Sequence, residues 1–150
     1  MLWRRPSQLC QVRTSLYLGC GYGKECSATS PVRGICPKGW HLPSDDEWEV
    51  LLSAAGGADV TGKKLNSASG WEEYEGERGN GEDAFGFSSR PAGYRNYNGD
   101  YFWGGYNAYF WSSTEYNSYA YYMNLLYSGN AVLDRNEDKN DGFSVRCLKD

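Results

Sequence analysis

Few residues in this chain could do covalent or acid–base chemistry, and they are scattered. His41 is the only histidine, the cysteines are Cys10, Cys20, Cys26, Cys36 and Cys147, and acids collect in residues 72–84 and 136–141. Catalysis needs a base, a nucleophile and a charge-stabilising donor held in one place. The chain has no Gly-x-Ser-x-Gly elbow and no phosphate loop, and His41 sits inside Pro37-Lys38-Gly39-Trp40-His41-Leu42-Pro43, which reads as a structural turn. No catalytic residue is assigned, and the chain is expected not to be an enzyme. The spacings of Cys20, Cys26 and Cys36 match no zinc knuckle. Asn136-Glu137-Asp138-Lys139-Asn140-Asp141 lacks the spacing, the sixth-position glycine and the terminal glutamate of an EF-hand. No metal and no cofactor is expected. Glu115, after Ser112-Ser113-Thr114, is expected to hydrogen-bond the loop backbone.

The chemistry the sequence does offer is recognition. Of 13 tyrosines, ten fall between Tyr94 and Tyr127, interleaved with Asn, Ser, Gly and Asp. Tyrosine gives rigid contact area at low entropic cost, and Asn, Ser and Gly give adaptable hydrogen bonds, which is how antibody-like surfaces are composed. The expected ligand-binding residues are Tyr97, Asn98, Asp100, Tyr101, Trp103, Tyr106, Asn107, Tyr109, Tyr116, Asn117, Tyr119, Tyr122, Asn124, Tyr127 and Asn130. The expected partner is a protein or a glycan. By contrast Trp40, Trp48, Trp71 and Trp111 lie in patterned segments and are expected in the core.

An odd number of cysteines leaves at least one without a partner in the chain. The pairings expected are Cys36–Cys147, joining the start of the compact domain to its last strand, and Cys20–Cys26, closing a small glycine-rich loop. Such bonds imply an oxidising compartment, hence an extracellular, cell-surface or phage-particle location. The alternative, reduced thiols acting as small buried hydrophobes, stays open here. A net charge of −4 and a pI near 5.0 do not make the basic footprint of a nucleic-acid binder. Mean hydropathy of −0.70, without any apolar run of membrane-spanning length, argues against membrane insertion. Residues 1–35 carry five Lys/Arg against one acid. Polar residues and Pro6 break what a signal peptide would need as an apolar run, so residues 1–34 are read as an irregular arm, either a flexible leader or a functional basic segment.

The elements that must position this surface are legible in part. Ser44 with Glu47 forms a capping box, Trp48, Leu51, Leu52 and Ala55 make one apolar stripe, and Gly56-Gly57 ends the helix. A second, weakly patterned helix is expected near Asp59 to Leu65, then an exposed acidic loop over 72–84 without a packing signal. Short strands are expected at Phe85–Phe87, Tyr109–Ser113, Tyr119–Tyr127, Ala131–Asp134 and Gly142–Leu148. In the last, Phe143, Val145 and Cys147 should face the core. The fold class is α+β over residues 35–150, helices first and antiparallel strands with long irregular loops later.

Three islands carry a resemblance: ICPKGWHLPSDDEWEVLL (35–52), FGFSSRPAGYR (85–95) with FWSSTE (110–115), and GFSVRCLKD (142–150). Together they closely resemble the Fibrobacter succinogenes major paralogous (FISUMP) domain over about residues 20 to 150. The resemblance implies a C-type-lectin-like fold with adjacent termini and an irregular binding surface in the later half, and a Cys36–Cys147 bridge suits that closure. Related domains serve as variable proteins of diversity-generating retroelements, in which adenine-directed mutagenesis turns Asn codons into Tyr, Ser, Asp and Gly codons. The composition from Tyr94 to Asn140 is similar to that product. The alternative is a bacterial cell-surface structural or adhesion module that is not diversified. The architecture is shared with formylglycine-generating enzymes, but their active-site segment has no counterpart here. The chain departs from the family in lacking the usual Trp-Met-x-x-Asn-Leu strand upstream, and in having Ser89-Arg90 where Ala-Leu is common.

Overall fold

Helix α1 (Asp45–Ala55) begins where the capping box puts it: the Ser44 hydroxyl accepts from the Glu47 backbone N–H at 3.3 Å, and the Glu47 carboxylate accepts from the Ser44 N–H at 2.9 Å. It ends at Gly56, whose φ of 102° is a left-handed cap. In this computed structural model the described residues are 31–150 together with the strand Val12–Arg13. In chain order the elements are β1 (Val12–Arg13), β2 (Trp40–His41), α1, α2 (Ala58–Leu65), β3 (Glu73–Tyr74), β4 (Glu77–Arg78), β5 (Tyr94–Arg95), β6 (Tyr101–Phe102), β7 (Asn107–Tyr116), β8 (Tyr119–Leu126), β9 (Ala131–Asp138), β10 (Gly142–Phe143) and β11 (Leu148–Lys149). The molecule is mixed α+β, and its described strand ladders are antiparallel. Two short strands precede the helices, because β2 is needed to pair with β11 and bring the ends of residues 36–149 together.

In the central sheet, ordered β7-β8-β9, strands β7 and β8 are covered on both faces, while β9 is largely open beyond Ala131. On one face Ala108, Phe110, Met123 and Leu125 meet Trp48, Leu51 and Leu65 from the helices, with Trp71 and Phe87 from the following loops. On the other face Tyr109, Trp111, Ala120 and Tyr122 pack on Phe143, with Tyr94 at the edge. The Trp111 and Phe143 rings stack at 4.1 Å and 15°. Alternation along β7 sends successive residues to opposite faces, and here both faces are covered.

The ends are fastened twice. Cys36 and Cys147, 111 residues apart in sequence, form a disulfide with Cα atoms 5.8 Å apart. His41 lies between two carboxylates, with Nδ1 2.7 Å from Asp150 Oδ1 and Nε2 2.9 Å from Glu47 Oε1. The expected Cys20–Cys26 pair lies outside the described residues.

Two expected strands differ. Phe85–Phe87 is a turn: Phe85 is exposed, and Phe87 turns back into the core through a sharp bend at Gly86, where φ is 66°. Gly142–Leu148 is interrupted after Phe143. Ser144 bridges Phe110, and the alternation then reverses, so that Arg146 and Leu148 are buried while Val145 and Cys147 are half-buried. The cause is Arg146, whose guanidinium stacks 4.2 Å over the Phe87 ring, a favourable cation–π arrangement that takes an inward position.

Candidate functional site

The Tyr/Asn-rich stretch is distributed over three places on this framework. The first is the β5–β6 hairpin, where Asn96 Oδ1 accepts from the backbone N–H groups of Gly99 and Asp100 at 3.0 and 2.9 Å and so fixes the loop. Tyr97, Asn98, Asp100 and Tyr101 stand exposed on it, and Tyr101, at 72% exposure, is among the most open large side chains. Phe102 lies on Tyr94 at 5.6 Å and anchors the hairpin to the core.

The second is the β7–β8 turn, with Asn117 in the left-handed region at φ 55°. Tyr116, Asn117 and Tyr119 are exposed there. Arg135 lies 4.5 Å over the Tyr116 ring and donates from Nη1 to the Tyr121 hydroxyl at 3.1 Å. Lys139 holds the turn from beneath, donating to the Asn117 carbonyl at 3.0 Å and pairing with Glu115 at 3.2 Å. Glu115 thus bonds a lysine and not the loop backbone expected of it.

The third place was not expected. Residues 72–84 include a hairpin, β3–β4, closed by Glu75 and Gly76 at φ 52° and 83°. Two positive φ values in a two-residue loop suit the twist of a hairpin. The hairpin presents Tyr74 to Trp103, Tyr106 and Tyr127, with ring centroids at 6.2, 5.5 and 5.0 Å, all edge-to-face. Glu72 receives a hydrogen bond from the Tyr106 hydroxyl, which raises that phenol's pKa. Burial, together with the charges of Glu75 and Glu77, raises that of Tyr127. Tyr74 was missing from the expected set because the signal for the turn, Asn or Asp before Gly, is carried here by a glutamate.

Three expected ligand residues are corrected. Asn107, Tyr109 and Tyr122 are buried. Asn107 Nδ2 donates to the Tyr109 hydroxyl at 3.1 Å, and the Tyr122 hydroxyl donates to Asn136 Oδ1 at 3.1 Å. Both phenols are pushed up in pKa by burial. They belong to the core because the second face of the sheet is covered. Asn124 is half-buried on β8, and Asn130 is exposed at the β8–β9 turn. Among the tryptophans expected in the core, Trp48, Trp71 and Trp111 are buried and Trp40 is half-buried.

Beneath the β5–β6 hairpin lies a carboxyl pair. Burial and the neighbouring Asp141 push Glu137 up to about 7, and burial also raises Asp141. Burial and the nearby Glu49 and Asp46 raise Asp45. For His41, burial pulls toward neutrality, but the bonds to Asp150 and Glu47 outweigh it and the pKa rises. Each group binds its proton more tightly when folded, so each favours folding below its unfolded pKa and loses that contribution as pH rises through its folded value. Thermal stability is therefore expected to fall between about pH 5 and pH 8, the reverse of ordinary carboxylate behaviour. Circular dichroism melts across that range check it, and Glu137→Gln should flatten the slope. A melting temperature that climbs with pH over this window rules the account out.

Among the described residues no helix is long and apolar enough to cross a membrane. A family model described as the Fibrobacter succinogenes major domain matches residues 9–149. That match reaches into the segment before residue 35, where β1 pairs with β10. No curated protein and no solved structure matches the chain.

Proposed function

We infer the function from one premise: the chain belongs to the Fibrobacter succinogenes major domain family. It is a receptor- or adhesin-type binding protein, not an enzyme, that displays tyrosines and asparagines on a C-type-lectin-like scaffold outside the reducing cytosol. The observation that carries this reading is the exposure of Tyr97, Tyr101, Tyr116 and Tyr119 on hairpins attached to a sheet whose strands β7 and β8 are covered on both faces. Large aromatic side chains left in water on a rigid support have no folding role to explain them, and they supply interface anchors. The disulfide Cys36–Cys147 supports an oxidising location.

The test is an array of purified bacterial surface proteins and glycans. Once a ligand is found, Tyr97→Ser, Tyr101→Ser, Tyr116→Ser and Tyr119→Ser are measured one at a time by calorimetry. At least two should weaken binding by about 2 kcal/mol or more, the level of an interface hot spot. Unchanged affinity in all four would remove this surface from the reading.

The composition from Tyr94 to Asn140 supports the further reading that this is the variable protein of a diversity-generating retroelement. Variation is then expected at exposed positions such as Tyr97, Asn98, Tyr101, Tyr116 and Tyr119, and not at buried Asn107, Tyr109 or Tyr122. Sequencing the locus decides it. A template repeat beside a reverse transcriptase, with mismatches at template adenines in those codons, supports diversification; their absence makes the protein a fixed surface adhesion module.

A further inference from the structure

Within this molecule arginine seeks aromatic faces: Arg135 lies 4.5 Å over Tyr116 and Arg146 lies 4.2 Å over Phe87. The Tyr74 cluster offers the same kind of face without such a guest among the described residues. Tyr74 and Trp103 remain 37% and 44% exposed, and they sit beside a hairpin bearing Glu72, Glu73, Glu75 and Glu77. Arg78 is already paired with Glu73 at 3.2 Å, which leaves Glu75 and Glu77, on the side of Tyr127, without an ion-pair partner among the described residues.

The rings are held in place. Trp103 occupies the left-handed region at φ 57°, a conformation that a bulky residue adopts only when its surroundings impose it. The Glu72 side chain lies against Gly105, where an added Cβ would come within 2.8 Å of it, and the Glu72 N–H donates to the Gly105 carbonyl at 2.8 Å. The lack of a side chain at Gly105 therefore lets the Trp103 loop close on the acidic hairpin. A preorganised set of aromatic faces rimmed by carboxylates fits a planar, weakly hydrated cation better than a neutral or anionic group.

We propose that the cluster of Tyr74, Trp103, Tyr106 and Tyr127, with Glu75 and Glu77 at its rim, receives an arginine side chain of a partner protein. This deepens the binding-protein reading and rests on it. The guanidinium lies against the Tyr74 and Trp103 faces, and the glutamates neutralise its charge. Tyr106 is kept in position by its bond to Glu72.

The probe is a fluorescein-labelled Arg-Gly repeat peptide, followed by fluorescence anisotropy at physiological salt, with a citrulline-Gly peptide of equal length as the uncharged control. Binding of the arginine peptide alone is expected. Tyr74→Leu and Trp103→Leu, which remove a ring and no charge, should each weaken it roughly ten-fold. Glu75→Gln combined with Glu77→Gln should weaken it as well, and Glu49→Gln on the exposed face of α1 should not. Melting curves confirm that each variant is folded. Equal binding of both peptides would show that the guanidinium charge is not recognised and would overturn the proposal; no effect of either ring substitution, or an equal effect of Glu49→Gln, would overturn it in favour of diffuse attraction to an acidic chain. Binding that emerges only after Arg4→Gln and Arg5→Gln would assign the site to this chain's own N-terminal segment, which also overturns it. None of these failures touches Tyr97, Tyr101, Tyr116 and Tyr119, whose substitutions test the broader reading separately.

Discussion

Cys36→Ser, or full reduction of the Cys36–Cys147 bond, is expected to cost the domain about 2–5 kcal/mol, lowering its melting temperature by roughly 5–20 °C. The bond joins residues 111 apart, so in the chain-entropy model it restricts the unfolded chain by about 4.7 kcal/mol, near the top of that range. What it closes is otherwise thin. The β2–β11 ladder is two residues long on each side, and the His41 bridge to Glu47 and Asp150 weakens as the imidazolium loses its proton. The reduced domain should therefore be least stable above neutral pH, where reduction and His41 deprotonation together have removed both fastenings. Thermal melts with and without reductant, near pH 5 and above neutral pH, check this. A shift under about 2 °C at both would show that the two-stranded ladder suffices, and that the disulfide says little about stability.

The pairing of Cys36 with Cys147 could be read from the chain because it needed only a domain start, a last strand and two cysteines. Helix α1 was legible for a similar reason: its capping box and terminal glycine are local signals, each confined to a few residues. What the sequence concealed depends on contacts between distant segments. Nothing near Tyr109 or Tyr122 tells that a second layer, Phe143 and Tyr94, covers that face of the sheet, and so phenols in a Tyr/Asn-rich run were read as exposed. Arg146 likewise reverses the inward pattern of the last segment through its stacking on Phe87, some 60 residues away in sequence. The β3–β4 hairpin was hidden by chemistry of the opposite kind. An acidic, glycine-containing stretch looks like solvated loop, and it is the rings of Trp103, Tyr106 and Tyr127, distant in sequence, that give Tyr74 something to pack on.

That division between covered and open phenols sets the second large effect. Phe143→Ala is expected to destabilise by about 3–5 kcal/mol, as is Trp48→Ala, since each empties a buried site that its neighbours cannot refill. Phe143 touches Trp111, Tyr109, Tyr122 and Tyr94, with ring centroids between 4.1 and 5.5 Å, so its removal leaves four rings without their common neighbour. Tyr122→Ser should behave like these core changes and cost about 3 kcal/mol, because it empties a buried site between the Tyr109 and Phe143 rings. Tyr97→Ser, Tyr101→Ser and Tyr119→Ser should each stay within about 0.5 kcal/mol of the parent, because water already surrounds much of each ring. Urea unfolding of the set separates the two classes at once. If Tyr122→Ser proved as mild as Tyr101→Ser, the second aromatic layer would not be closed in solution, and Tyr109 and Tyr122 would return to the binding surface. If Tyr101→Ser proved as costly as Phe143→Ala, the exposed phenols would have a folding role, and the argument that they exist to meet a partner would lose its basis.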